Sequence, residues 1–248
     1  MVARQRADLL LVRRGLFESR AQARAAIEAG GVTADGRPVL KPSDLLAVDA
    51  AIAAVPAHPW VGRGALKLVH ALDAWPVPVE GQVVLDVGAS TGGFTQVCLA
   101  RGARRIYAVD VGQGQLHPRL ASDPRVVNLE ATDARVLTAA LIDEPPQLVV
   151  TDVSFIGLAK ALPAALRLAA PGADLVALVK PQFEVGPAGV GKGGLVKDPV
   201  IRARALGDVV GFLETVGWVV LGKMESPVIG GDGAREFLLW ATKKPPGG

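Results

Sequence analysis

The hydrophobic pattern changes character about a quarter of the way along the chain. In the first sixty or so residues the apolar positions fall in short helical clusters. Leu9, Leu10 and Val12 belong to a helix expected over 4–14, and Ala23, Ala26 and Ile27 to a second over 20–29. Gly15 reads as the stop of the first, Ser19 as the N-cap of the second, and Gly30-Gly31 as its end. Val32-Thr33 and Pro38-Val39 flank Ala34-Asp35-Gly36-Arg37, where Asp-Gly tolerates the positive φ angles of a tight hairpin. An apolar run around Ile52 completes a small α+β unit. Beyond Pro56-Ala-His-Pro59 the rhythm becomes alternating. Strand-like runs at 83–87, 105–110, 125–130, 148–152 and 174–180 are separated by helical stretches at 93–101, 134–142, 158–169 and 200–215, and 218–223 and 236–241 close the chain as a hairpin-like pair. This βαβ order predicts an α/β, Rossmann-like domain on a mostly parallel seven-stranded sheet. The expected organisation is a small domain at 1–55, a linker at 56–63 and the larger domain at 64–248.

Charge sharpens the division. Residues 1–63 carry nine Lys/Arg against six Asp/Glu, whereas 64–248 carry eighteen of each. The excess lies in the small domain, mostly within its first 24 residues, and points to a polyanionic partner there. Aromatic residues make up only 4% of the chain, so contact with nucleic acid should rest on phosphates and shape rather than on an extended stacking platform. Cys98 is the one cysteine, which rules out an intrachain disulfide and a multi-cysteine zinc site. His58, His70 and His117 show no ligand spacing, and no metal is expected. No run approaches the roughly 18 apolar residues of a membrane span, and the N-terminus lacks a secretory core. The expectation is a cytoplasmic protein without membrane contact.

Ligands of doubly wound sheets bind at the carboxyl ends of the strands. Here the first strand runs into Asp86-Val-Gly88-Ala-Ser90-Thr91-Gly92-Gly93-Phe94, and the second ends in Asp110, 24 positions after Asp86. Glycines bring backbone close to a ligand, and a carboxylate at Asp110 can accept both hydroxyls of a ribose. That pair alone suits either NAD or S-adenosylmethionine. Two details favour the methyl donor. The loop opens with an acid, which repels a pyrophosphate but helps to hold a cationic methionine moiety, directly or through water. The spacing Gly88-x-x-x-Gly92-Gly93 also departs from Gly-x-Gly-x-x-Gly.

The segment RADLLLVRRGLFESRAQARAAIEAGGVTADGRPVLKPSDLL resembles an S4-type RNA-binding domain over residues 4 to about 52. Arg4, Arg13, Arg14, Arg20, Arg24 and Lys41 are the candidate phosphate contacts. Further on, DVGASTGGFTQVCLARGARRIYAVDVGQGQL, TDVSFIGL, LVKPQFEVG and GGDGAREFLL resemble the TlyA (haemolysin A) family of ribosomal RNA methyltransferases, which join an S4-type domain to an FtsJ-like catalytic domain. The resemblance spans about residues 4–242. It implies S-adenosylmethionine-dependent 2′-O-methylation of ribose, at cytidines of ribosomal RNA, with ribosomal subunits as partners. It also implies a Lys-Asp-Lys-Glu tetrad at Lys67, Asp152, Lys180 and Glu236. A ribose hydroxyl must lose its proton as it attacks a sulfonium methyl. Lys180, in a partly dry cleft beside the ammonium of Lys67, is the expected general base. Lys67 would place the hydroxyl, and Asp152 and Glu236 would orient the lysines. Cofactor contacts are expected from Asp86, Gly88, Ser90, Gly92, Gly93, Phe94, Asp110 and Asp133, the last toward the adenine amino group.

Two positions depart from the family pattern. Gly62 stands where a serine is usual, and TDAR at 132–135 stands where an Asn-x-Arg form is common. The glycine-rich stretch 183–198 reads as a lid closing on RNA or as a plain connection. Two other functions remain open at this level: a ribosome-binding assembly factor without catalysis, and a membrane-active haemolysin.

Overall fold

The structure, a computed structural model, describes residues 3–186, 189–230 and 233–245. Of the segments singled out above, the lid stretch includes Pro187 and Ala188, and GGDGAREFLL includes Gly231 and Asp232, which lie outside the described residues. The chain divides into two compact units between Pro59 and Trp60.

In the first unit, β1 (Arg4–Arg6) precedes α1 (Ala7–Arg13) and pairs antiparallel with β4 (Leu45–Ala47). The helix expected from residue 4 therefore starts at Ala7. The amides of Ala7 and Asp8 donate to the carbonyls of Asp44 and Pro42 at 2.7 and 3.1 Å, so the ladder with β4 claims the first three residues. α2 (Arg20–Glu28) is capped by Ser19, whose side chain accepts from the Gln22 amide. β2 (Val32–Ala34) forms the hairpin with β3 (Arg37–Pro38) across Asp35 and Gly36, both at positive φ, and pairs on its other edge with β5 (Ile52–Ala54). Ala7, Leu11, Phe17, Ala23, Ala26, Ile27 and Val32 form the core of this unit.

The second unit is a seven-stranded sheet. Its strands are β6 (Val83–Val87), β7 (Arg105–Val109), β8 (Val126–Leu129), β9 (Leu148–Thr151), β10 (Asp174–Val179), β11 (Trp218–Glu225) and β12 (Phe237–Lys243). Their spatial order is β11-β12-β10-β9-β6-β7-β8, and β12 alone runs against its neighbours. Both faces are covered, so the central strands are apolar at almost every position rather than alternating. Leu85, Val149 and Ala177 face one core; Val84, Val150 and Val176 face the other. On the second face lie α3 (Ala65–Ala74), α4 (Gly93–Ala100) and α5 (Pro118–Ala121). The first face is covered by α6 (Leu158–Ala161), α7 (Pro163–Leu168) and α9 (Pro199–Thr215), with α8 (Pro181–Glu184) directly after β10.

Several elements of the second unit differ from expectation, the short helices α5 and α8 among them. α3 forms where the sequence pattern predicted nothing. The helix expected at 158–169 is broken at Leu162, because Pro163 begins a new helix and has no N–H for the old one. Residues 134–142 hold only the 3-10 turn Ala134–Val136. Leu137 and Ile142 are both buried on the same core, and five residues of regular helix would set them roughly 140° apart. Core contact overrides helical propensity there. Among the described residues no helix is long and apolar enough to cross a membrane.

Candidate active site

The carboxyl ends of β6, β7, β9 and β10 share one edge of the sheet, and the start of the reversed strand β12 joins them there. Register makes this explicit: Val179 pairs with Phe237, so Lys180 and Glu236 are the next residues on each side. Asp152 follows Thr151, which pairs with both Val87 and Ala177. Lys67 comes from α3. A methyl group added at Gly64, the residue before that helix, would lie 3.1 Å from Asp152 Oδ2, so the helix begins against the tip of β9.

The tetrad residues meet as two ion pairs. Lys67 Nζ donates to Glu236 Oε2 at 2.5 Å, and the two residues are only 7% and 3% exposed. Lys180 Nζ stands 2.5 Å from Asp152 Oδ1 and is 9% exposed. This second contact is electrostatic rather than a directed hydrogen bond. The amine donates to Ser154 Oγ at 2.8 Å and, at 3.4 Å, to the Asp152 carbonyl, while Oδ1 makes no hydrogen bond. Each lysine thus has an acid as its immediate partner. An ammonium this poor in water requires such a partner.

Beside the pairs lies a cavity of about 830 Å³. Gly88, Ser90, Asp110, Gly112, Asp133, Asp152, Ser154 and Phe155 are among the residues lining it. Gly88 has φ +85° and packs against the Val153 backbone, so a side chain there would be strained and crowded. Asp110 Oδ2 accepts from the Ser90 amide at 2.8 Å and Oδ1 from the Gly112 amide at 2.7 Å. Each oxygen keeps a further lone pair for a ligand hydroxyl. Asp133 also reaches the wall, but its carboxylate is forked onto Arg135, at 2.5 Å from Nη2, which holds it below its ordinary pKa. Its availability to an adenine amino group is correspondingly reduced.

Four expected cofactor contacts lie off this wall. Phe94 is buried in the core of its face of the sheet. Gly92, at φ +93°, meets Leu116 and Leu120, and Gly93 meets the Ala65 amide of α3. These two glycines allow close packing of helices and shape the loop from beneath. Asp86 is wholly buried under the same loop, accepting from Thr95 Oγ1 at 2.6 Å, while Oδ1 has no hydrogen-bond partner. Burial pushes its pKa up to about 7; the Thr95 hydroxyl opposes this and the charge of Asp152 adds to it. Direct contact with a ligand is thus out of reach for Asp86, and the unpaired oxygen is what remains for an indirect one.

Ser154, Phe155 and Gln115 are site residues that the sequence reading passed over. Phe155 is 90% exposed at φ +65°, and its ring lies 5.2 Å from that of Phe183. The signal was present in TDVSFIGL, since residues just past a strand's carboxyl end are the ones facing ligands. Gln115 is held by its loop, whose amides at Gln115 and Leu116 donate to Glu130 at 2.6 and 2.9 Å. Those donors, the Leu116 amide foremost, draw the Glu130 carboxyl down to about 2.

In the first unit the candidate RNA-binding arginines separate into two kinds. Arg4, Arg13, Arg24 and Lys41 are exposed. Arg14 is committed to the carbonyls of Ala50 and Val48. Arg20 and Arg6 share the buried carboxylate of Asp8, whose pKa drops to about 2 chiefly through Arg6. Half-exposed guanidiniums anchored in this way can still present their outer edges to phosphate.

A model of the FtsJ-like methyltransferase family matches residues 60–243, and one of the S4 domain matches 5–52. The chain is 50% identical over 242 residues to the 16S/23S rRNA (cytidine-2′-O)-methyltransferase TlyA of Mycobacterium tuberculosis (strain ATCC 25618 / H37Rv), covering 97% of this chain and 90% of that one. The chain belongs to the TlyA family. Another TlyA, the 23S rRNA (cytidine-2′-O)-methyltransferase of Campylobacter jejuni, is 33% identical, with 82% of this chain and 79% of the relative covered. A solved structure from Streptococcus thermophilus, described as a hemolysin, superposes with a TM-score of 0.77 at 38% identity over 98% of this chain and 90% of its own. The TlyA family thus accounts for both units of the chain, including the S4 domain and the mostly parallel seven-stranded sheet.

Proposed function

We propose that this protein methylates the 2′-hydroxyl of a cytidine ribose in ribosomal RNA, using S-adenosylmethionine. The observation that supports it most strongly is the juxtaposition at the carboxyl edge of the sheet. Asp152 and Ser154 line the large cavity, and both contact Lys180, a nearly buried amine. The donor set suits the methyl donor. Asp110 offers paired carboxylate oxygens to a ribose diol, the Gly88–Ser90 loop offers close backbone, and the unpaired Oδ1 of Asp86 supplies negative potential beneath a cationic group. When bound, S-adenosylmethionine supplies an electrophilic methyl group.

The protein's task is then to place one hydroxyl and take one proton. Lys180 Nζ accepts the 2′-hydroxyl proton, and the Asp152 carboxylate, 2.5 Å away, and the Ser154 hydroxyl hold that amine in place. Lys67 donates toward the ribose oxygen while Glu236 fixes the direction of its amine. Much of the acceleration comes from holding nucleophile and methyl in line. The S4 unit supplies RNA affinity through phosphate contacts.

The test is transfer of tritiated methyl groups into isolated small and large ribosomal subunits, followed by mapping of ribose methylations. Cofactor binding with no incorporation into either subunit would favour the assembly-factor reading. Leakage of liposomes by the purified protein alone would favour the haemolysin.

A further inference from the structure

Glu184 sits four residues after Lys180, at the end of the one-turn helix α8, yet its carboxylate reaches across to another segment. Oε1 and Oε2 accept from the Leu158 amide at 3.0 and 3.3 Å. That amide opens α6, whose N-cap residue, Gly157, has no side chain to receive it. Gly157 is also where the two segments come nearest. A methyl group there would stand 3.0 Å from Glu184 Oε2 and 3.2 Å from the Phe183 carbonyl. The carboxyl is partly buried, and burial raises its pKa, with the charge of Asp208 on α9 adding to the effect.

The chain from Asp152 to Leu158 and the chain from Lys180 to Glu184 are therefore joined at three levels. At the reaction end Lys180 meets Asp152 and Ser154. In the middle Phe155, held at positive φ, packs on Phe183. At the far end Glu184 receives the Leu158 amide. Ser154 and Phe155 belong to a loop without regular secondary structure, so their positions are set by its two ends. One end is the strand β9. The other is the bond to Glu184.

We propose that Glu184 is a positioning residue of the methyl-transfer site: by capping the turn at Leu158 it sets where Ser154 and Asp152 stand relative to the Lys180 amine. This rests on the reading that Lys180 takes the hydroxyl proton while Asp152 and Ser154 hold its amine. A misplacement of reacting groups by about 1 Å costs on the order of a hundredfold in rate, which gives this distant carboxylate a measurable effect.

The experiment measures kcat and KM for methyl transfer into ribosomal subunits, with cofactor affinity by calorimetry and melting temperature as controls. E184A should lower kcat by roughly ten- to a hundredfold with cofactor affinity little changed. E184Q retains a carbonyl oxygen for the Leu158 amide and should restore kcat to within a few-fold of wild type. G157A should reproduce the E184A defect by pushing the carboxylate away. The double variant E184A/G157A should then stay within a few-fold of E184A, because the nearer of the two groups crowding the new methyl is gone and only the Phe183 carbonyl remains. If E184A fails to fold, E184Q and G157A still decide the question: G157A at full kcat overturns the proposal. So does E184A within twofold of wild type, or E184Q as slow as E184A. An active wild type with an unaffected E184A refutes the positioning role alone, whereas a wild type inactive on both subunits refutes the catalytic reading together with it.

Discussion

Replacing Asp86 with asparagine isolates the energetic consequence of holding an acid under the cofactor loop. The carboxyl is fully buried, accepts one hydroxyl bond from Thr95 and leaves Oδ1 unpaired, and its pKa is pushed from 3.8 to about 7, mainly by burial. A folded-state pKa above the unfolded one means that the folded protein binds more protons between the two values. Its contribution to stability is complete below the unfolded pKa and is lost as pH rises through about 7. Three pKa units at about 1.36 kcal/mol each make a full swing of roughly 4 kcal/mol. About two of those units fall between pH 8 and pH 5, so the ligand-free wild type should gain roughly 3 kcal/mol on acidification across that range. D86N keeps an acceptor for Thr95 but has no proton to exchange, and should lack this gain. For a domain of this size the difference corresponds to about 6–12 °C in melting temperature. Thermal melts of both proteins at pH 5 and pH 8, without ligand, measure it directly, because titrations elsewhere in the chain are common to both and cancel. Parallel pH profiles would refute the burial argument. At pH 8 D86N should also gain less stability than wild type from added S-adenosylmethionine, having lost the negative potential beneath the loop.

Four further outcomes rest on the geometry. K180A should reduce methyl transfer by about a hundredfold to ten-thousandfold while changing cofactor affinity little, since Lys180 is not among the residues lining the cavity; kinetics and calorimetry on one preparation separate the two effects. E236A leaves the Lys67 ammonium, 7% exposed, without its partner and should destabilise the second unit by about 3–5 kcal/mol; K67M/E236A should recover most of this in melts, and a failure to recover would mean the pair is not the source of the loss. In the S4 unit, substituting the exposed Arg13, Arg24 and Lys41 together should weaken RNA binding and flatten its dependence on salt. R14A should instead lower thermal stability, through loss of its bonds to Val48 and Ala50.

Much of the architecture is written in local pattern. Val83–Val87 and the other parallel strands are apolar runs because both of their faces are covered, and such runs are visible without a structure. Ser19, Asp35-Gly36 and Pro163 act on their immediate neighbours, so caps, turns and breaks can be read from the chain itself. The helix bearing Lys67 escaped notice because Ala65–Ala74 is apolar on most of its surface and begins after Gly62-Arg-Gly64 without a capping side chain. The absent helix at 134–142 is the converse case, where burial of both Leu137 and Ile142 outweighs propensity.

By itself the sequence determined the order of the sheet strands, the two-part division, and the residue types available at each strand tip. Those depend on interactions within a few residues of one another, or on chemistry that cannot be met otherwise. The partners were decided only by the tertiary fold. Lys67 and Glu236 are 169 positions apart and touch because β12 runs backwards against β10. Phe94, Gly92 and Asp86 carry a ligand-binding pattern yet point into packing, since an alternating strand and a helix start each have a face turned from the ligand. Which side of the backbone a residue occupies at a crowded loop is set by what packs beneath it, and that information resides in the distant segments it meets.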